Sequence, residues 1–224
     1  MNIVILGDGD FPVATHPLQI LEKADKIICC DASVLKLIRY GITPDYIVGD
    51  MDTLEAAGRE KYKDLIRYSG CRETNDQTKA FSFALGLLPA GEKANIHILG
   101  ATGGREDHTL GNISLLMDYA RTGSVIGPFG NKVGENITVD IVTDHGIFTP
   151  RFNSFTAAGV AGQQISVFSF DPTLRIQSSG LVYPTGQVVF DLWWKASLNE
   201  CTGEEYTLTF SHPADVLIFE NYTG

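Results

Sequence analysis

The chain has 224 residues, 44% hydrophobic and 20% charged, a balance that fits one large globular domain or two small ones and excludes a disordered chain. Asp and Glu number 27 against 17 Lys and Arg, and the formal charge of -10 repels nucleic acid and the anionic face of a membrane. A small-molecule partner is favoured, and an anionic one needs a local basic patch or bound cations to offset the repulsion.

In chain order, the first two-thirds alternates short β-branched runs with amphipathic segments, the pattern of a parallel sheet flanked by helices. The predicted strands are Ile3–Leu6, Lys26–Cys30, Tyr46–Val48, Leu65–Tyr68 and Asn95–Leu99. Between them fall predicted helices over Pro17–Ala24, Val34–Tyr40, a segment after Thr53, Gln77–Leu88 and Thr109–Arg121. On the last of these Leu110, Ile113, Met117 and Ala120 recur at the spacing of one buried face. The glycine-rich stretch Gly123–Asn136 reads as a long exposed loop, and Ile137–Val142 as a strand that could close the first sheet. Beyond about residue 147 no amphipathic helix is evident, and strand-like runs over Gln164–Phe170, Gly180–Tyr183, Gln187–Leu192, Tyr206–Phe210 and Val216–Phe219 alternate with turn residues. The expected architecture is α/β plus all-β: a parallel-sheet, Rossmann-like domain over 1–146 and a small β-sandwich over 147–224.

Cys29, Cys30, Cys71 and Cys201 form no C-x-x-C pair and no zinc spacing, so neither a zinc site nor a disulfide framework is expected, and the adjacent Cys29 and Cys30 of a predicted strand read as buried, reduced thiols. The N-terminal segment lacks the basic leader and long apolar run of a signal peptide, no stretch has the length of a membrane span, and a cytoplasmic protein is expected. His97, His145 and His212 fall in strand or turn contexts and read as structural.

The chemistry gathers where strands end. Gly7-Asp8-Gly9-Asp10, Asp31-Ala32-Ser33, Gly49-Asp50-Met51-Asp52 and Gly100-Ala101-Thr102-Gly103-Gly104-Arg105 each follow a predicted strand, and open α/β sheets bind ligands at that edge. Asp50 and Asp52 flank one residue, which lets both carboxylates reach one point, and two hard oxygen ligands suit Mg²⁺. By itself such a pair more often serves a turn or a helix start. Asp76 reads as a helix N-cap with Lys79 one turn on, which places a carboxylate and an ammonium at one helix mouth, where an anion is well received. Gly103 and Gly104 let backbone amides approach a phosphate, Arg105 adds a charged fork, and Asp107 and His108 open the following helix. No dinucleotide fingerprint and no G-x-x-x-x-G-K-[ST] loop is present, so NAD-binding and P-loop readings are set aside.

Three motifs in this order, Gly49-Asp50-Met51-Asp52-Thr53, Asn75-Asp76-Gln77-Thr78-Lys79-Ala80 and Gly103-Gly104-Arg105-Glu106-Asp107-His108-Thr109-Leu110-Gly111-Asn112, closely resemble those of thiamine pyrophosphokinases. The resemblance covers nearly the whole chain, since that family also sets a C-terminal β-sandwich after an α/β domain. It implies transfer of a pyrophosphoryl group from ATP to the hydroxyl of thiamine, in a homodimer whose active sites lie at the subunit interface. It further implies Asp50, Asp52 and Asp76 as magnesium ligands and Lys79 and Arg105 as phosphate-binding residues; Asp107 or a metal-bound carboxylate could take the hydroxyl proton. Asp31, Thr102, Gly103, Gly104, Arg105 and His108 would face ATP. In the C-terminal domain Gly180, Tyr183, Ser197 and Asn199 match thiamine-site positions, although Val182 and Leu198 depart from the family pattern. Two rival readings are a magnesium-dependent nucleotide transferase or hydrolase with another acceptor, and a non-catalytic sensor of a nucleotide or of thiamine diphosphate.

Overall fold

A computed structural model describes residues 1–222. The chain divides into two compact units, Met1–Asp144 and His145–Gly224.

The first unit runs β1 (Asn2–Leu6), α1 (Thr15–Glu22), β2 (Lys26–Cys30), α2 (Ser33–Tyr40), β3 (Tyr46–Gly49), α3 (Ala56–Lys61), β4 (Ile66–Tyr68), α4 (Asp76–Leu87), β5 (Ala94–Leu99), α5 (Glu106–Ala120), β6 (Val125–Ile126), β7 (Asn131–Lys132) and β8 (Ile137–Val142). Its sheet has the order β8-β5-β1-β2-β3-β4, and every pairing is parallel. The side chains of Ile3 to Leu6 and Ile27 to Cys30 are buried on both faces, which is why these strands read as unbroken apolar runs. β2 and β5 lie on opposite sides of β1, so the chain reverses its direction of travel there and the loops leaving β1 and β5 frame a crevice.

Two expectations for this unit are corrected. The buried face of α5 carries Leu116 and Tyr119, while Leu110 is 59% exposed. The helix is turned so that Tyr119 stacks on Phe81 of α4 at 4.4 Å and its hydroxyl lies 2.5 Å from Thr78 Oγ1. The stretch Gly123–Asn136 is not a plain loop: it holds the β6–β7 hairpin, and Ile126 and Val133 are buried. Asn131 Nδ2 and the Ile126 carbonyl tie the hairpin to Ser82 of α4.

The second unit contains β9 (Gly146–Arg151), β10 (Phe155–Ala158), β11 (Gln164–Ser169), β12 (Ile176–Ser179), β13 (Ala196–Glu200), β14 (Glu205–Phe210) and β15 (Val216–Asn221). The order β13-β11-β15-β9 and the order β10-β14-β12 are both antiparallel. Ile165, Val167, Val216 and Ile218 from the first set pack with Ile176, Tyr206, Leu208 and Phe210 from the second in one apolar core, the construction of a sandwich. The predicted strands Gly180–Tyr183 and Gln187–Leu192 are absent, apart from a single bridge between Leu181 and Cys201. The buried Asn199 amide takes their place, accepting from the Tyr183 N–H and donating to the Tyr183 carbonyl, so the segment is held as a loop.

Burial has a consequence for alkaline stability. It pushes the Cys29 thiol up to about 12 and raises the Cys30 thiol and the Tyr119 and Tyr206 hydroxyls well above their ordinary range. In the unfolded chain the thiols ionise near 9.0 and the phenols near 10.0, so the unfolded state loses protons first and is favoured as pH rises. Stability from these groups is full below about pH 9, and the melting temperature is expected to fall by about 10 °C between pH 9 and pH 11. A flat calorimetric profile over that interval would contradict this account of the core.

Candidate active site

The strand ends bring carboxylates together by unusual backbone. Asp31, just after β2, has φ 42°, and Met51, between Asp50 and Asp52, has φ 60°. Both lie in the left-handed region, where a non-glycine residue costs about 1–3 kcal/mol and which recurs at functional sites. Gly49 makes room: a Cβ there would stand 3.2 Å from Asp76 Oδ1 and 3.3 Å from the Asp31 Cβ.

The cap of α4 is Asn75, whose side chain accepts from the Thr78 N–H at 2.9 Å, and not Asp76 as the sequence predicts. The shift by one residue frees the Asp76 carboxylate to face the strand ends. Lys79, only 2% exposed, donates to Asp76 Oδ1 at 2.8 Å and to Asp50 Oδ2 at 2.9 Å. That hydrogen bond holds the Asp50 carboxyl below its usual range. Burial pushes the Asp76 carboxyl up, more than Lys79 brings it down. For Lys79 itself burial disfavours the charge, but the bonds to Asp76 and Asp50 outweigh it and raise its pKa.

Among the described residues, Asp31, Asp50 and Asp76 form a group whose ligand atoms lie within 4.8 Å of one another. Asp31 is 2% exposed, and while its Oδ2 accepts from the Thr53 N–H at 3.2 Å, its buried Oδ1 has no hydrogen-bond partner. Three carboxylates against one ammonium, with one buried oxygen unpartnered, fit a hard divalent cation. Asp52 stands outside this trio: it is exposed, and the charge of Asp50 raises its carboxyl. Asp31, placed by the sequence reading among the ATP-facing residues, takes the third corner.

A cavity of about 340 Å³ opens above the trio, lined by Gly7, Asp8, Cys30, Asp52, Thr53, the stretch Thr74 to Gln77, Lys79, His108 and Asn112 as well. Several of these were not singled out from sequence. Asn112 donates to the Ala101 carbonyl at 2.9 Å and accepts from Asn75 Nδ2 at 2.9 Å, locking α5 to the mouth of α4. Gln77 donates to the Asn112 carbonyl, and Gln77 Oε1 and Thr74 Oγ1 are buried without partners beside the cavity. Lys36 donates to the Asp8 and Gly9 carbonyls and pairs with the Asp8 carboxylate at 2.8 Å, fixing the loop after β1. Asn75, Gln77 and Asn112 lie in the quoted motifs and Asp8 in a strand-end loop, though none of them was given a role; Lys36 carried no such signal, because it lies on α2, far in sequence from the loop it holds.

The glycine-arginine segment lies outside the lining, apart from His108 and Asn112. A Cβ at Gly103, whose φ is +78°, would fall 2.3 Å from the Asp10 carboxylate, and Thr102 accepts from the Asp10 N–H at 2.8 Å. Gly103 therefore lets this loop interlock with the loop after β1. Arg105, with a side chain 74% exposed, is engaged by Asp107 through two hydrogen bonds of 2.6 and 3.1 Å, and this pairing lowers the Asp107 carboxyl. Gly104 is exposed, and a side chain there would meet nothing.

In the second unit, Gly180 has φ +74°, and a Cβ would meet the Glu205 carbonyl at 2.3 Å. Tyr183 is 65% exposed, Asn199 is buried holding the Tyr183 backbone, and Ser197 donates its N–H to the Trp194 carbonyl. Leu198 has φ 57° and is exposed. Phe170 stacks on Trp193 at 5.5 Å, and both are exposed, as is Trp194. This aromatic group was missed from sequence, where Trp193-Trp194 is its one local sign.

Residues 18–126 match the family described as "Thiamin pyrophosphokinase, catalytic domain", and residues 146–219 match "Thiamin pyrophosphokinase, substrate-binding domain". Thiamine pyrophosphokinase 1 of Oryza sativa subsp. japonica is 37% identical over 89 residues, covering 37% of this chain and 34% of that protein. Thiamine pyrophosphokinase 3 of the same plant is 34% identical over 85 residues, 35% and 32% of the two chains, so the match spans about a third of the length of these relatives. The fold is similar to that of thiamin pyrophosphokinase from Candida albicans, with a TM-score of 0.77 at 17% identity over 99% of this chain and 89% of that one. It is similar also to the Bacillus subtilis thiamine pyrophosphokinase structure, with a TM-score of 0.73 at 22% identity over 100% and 99%. Two matched domains in the same order, covering both units, place the chain in one family: it belongs to the thiamin pyrophosphokinases.

Proposed function

We propose that this chain transfers a pyrophosphoryl group from ATP to the hydroxyl of thiamine, giving thiamine diphosphate and AMP. The observation that carries the reading is the Asp31, Asp50 and Asp76 trio with Lys79 buried against it and Asp31 Oδ1 unpartnered, inside the stretch that matches the family's catalytic domain.

Asp31, Asp50 and Asp76 would hold Mg²⁺, with Asp52 beside them as a further carboxylate. Bound there, Mg²⁺ would neutralise triphosphate charge as it does in other phosphoryl-transfer sites. The chain's own contribution is placement. Lys79 directs a cation at the phosphate oxygens from a position with little freedom, and the helix mouth at Asn75 to Thr78 adds N–H groups of the same sign. Arg105 can reach phosphate once it leaves Asp107, and its exposure allows that movement. Asp107, at the start of α5, or one of the metal-bound carboxylates would take the proton of the attacking hydroxyl.

The second unit would take thiamine, and Tyr183 offers an exposed ring for the cationic thiazolium, a contact worth about 0.5–2 kcal/mol. We further propose a homodimer with active sites at the subunit interface, in the cytoplasm; the exposed Phe170, Trp193 and Trp194 are apolar surface that such an assembly would cover. No helix among the described residues is long and apolar enough to cross a membrane. Competition tests the acceptor: with ATP and Mg²⁺ fixed, thiamine should be pyrophosphorylated in preference to other primary alcohols, and equal use of an unrelated alcohol would refute thiamine as the substrate.

A further inference from the structure

We propose that Lys79 is the resident counter-cation of the carboxylate site, holding Asp50 and Asp76 while no divalent ion is bound and releasing them when metal and nucleotide enter together. It would thus set the metal affinity as well as contact phosphate. The inference rests on the reading of this trio as a magnesium site.

The geometry is that of two cations claiming the same oxygens. The Lys79 ammonium sits 2.9 Å from Asp50 Oδ2 and 2.8 Å from Asp76 Oδ1, and those two residues supply two of the three corners of the trio. An ion ligated by the same carboxylates, at the short distances Mg²⁺ demands, meets a fixed positive charge one side chain away. Lys79 is 2% exposed and starts one turn into α4, with Ala80, Phe81 and Ser82 buried beside it, so it cannot swing into solvent as a surface lysine would. It can only exchange one acceptor for another. Of its three N–H donors, the bonds to Asp50 and Asp76 use two.

The arrangement also explains why one oxygen is left over. Lys79 offsets part of the charge of Asp50 and Asp76 but does not reach Asp31, whose Oδ1 stays buried and unpartnered. Metal alone is therefore attracted by Asp31 and repelled by Lys79. Nucleotide alone meets Asp8, Asp50, Asp52 and Asp76 around the cavity. Together they relieve each other: the triphosphate gives Lys79 new acceptor oxygens, and the carboxylates it leaves become free for the ion. Each ligand must then tighten the other by the same factor.

Mn²⁺ can serve as a paramagnetic probe of the site in the full-length chain, titrated by electron paramagnetic resonance with and without a non-hydrolysable ATP analogue. The wild type should bind Mn²⁺ weakly alone and about tenfold or more tightly with the analogue. Lys79→Met should bind Mn²⁺ alone about tenfold or more tightly than the wild type, because a neighbouring positive charge is gone, and should lose most of the coupling. Lys79→Arg, which keeps the charge, should stay near the wild type. A folded Lys79→Met protein with wild-type or weaker affinity for Mn²⁺ alone would overturn the proposal while leaving the metal site standing. If Lys79→Met does not fold, the wild type decides: equal Mn²⁺ affinity with and without the analogue overturns it. Wild-type protein that binds no Mn²⁺ even with the analogue would remove the metal-site reading itself.

Discussion

Asp50→Asn should lower turnover by about a thousandfold or more and leave the fold intact. Asn keeps the shape of the side chain and one oxygen for Lys79 to donate to, so the loop after β3 loses little packing. What goes is a full negative charge from a trio whose ligand atoms lie within 4.8 Å, at the corner that also orients Lys79. Charge and position fail together, and sites that work by electrostatic preorganisation are sensitive to both. Steady-state assay of AMP formation checks the first half, and thermal denaturation the second. Turnover within about tenfold of the wild type would place the chemistry elsewhere.

The largest effect on stability is expected from Phe81→Ala. Phe81 is fully buried on α4 and stacked 4.4 Å from Tyr119, with the rings 16° from parallel. Truncation removes that contact and leaves a cavity between α4 and α5, at a cost of about 3–5 kcal/mol. The residue lies two positions beyond Lys79, and Tyr119 in turn anchors Thr78, so the mouth of α4 should lose definition along with stability. Urea denaturation monitored by circular dichroism measures the loss. A decrease below about 1.5 kcal/mol would mean that the α4–α5 contact carries less of the fold than its burial implies.

The α/β half of the protein was legible because its central strands are covered on both faces and so read as apolar runs, as Ile3 to Leu6 and Ile27 to Cys30 show. The face of α5 was misread for a definable reason. Leu110 fits the helical spacing, but the helix is oriented by Tyr119 against Phe81 and by Asn112 against Ala101 and Asn75, and a buried polar residue does not register as a core position. The β half was harder. β9 contains Pro150, β12 ends in Ser178 and Ser179, and β13 is interrupted at Leu198 by a left-handed residue, so none of them alternates cleanly.

In the site, the acidic strand ends and Lys79 were visible from their positions. The approach of Asp31 to Asp50 and Asp76 was not, because the left-handed backbone at Asp31 and Met51 decides where those carboxylates point, and spacing does not encode it. Likewise Gly103 announces itself as a glycine, but its partner Asp10 lies on another loop and is seen only in the fold.

The central claim is the reaction, and its products identify it. Protein incubated with ATP, Mg²⁺ and thiamine, and followed by phosphorus nuclear magnetic resonance, should yield AMP and thiamine diphosphate in equal amounts. Formation of ADP with thiamine monophosphate, or of no phosphorylated thiamine at all, would contradict it.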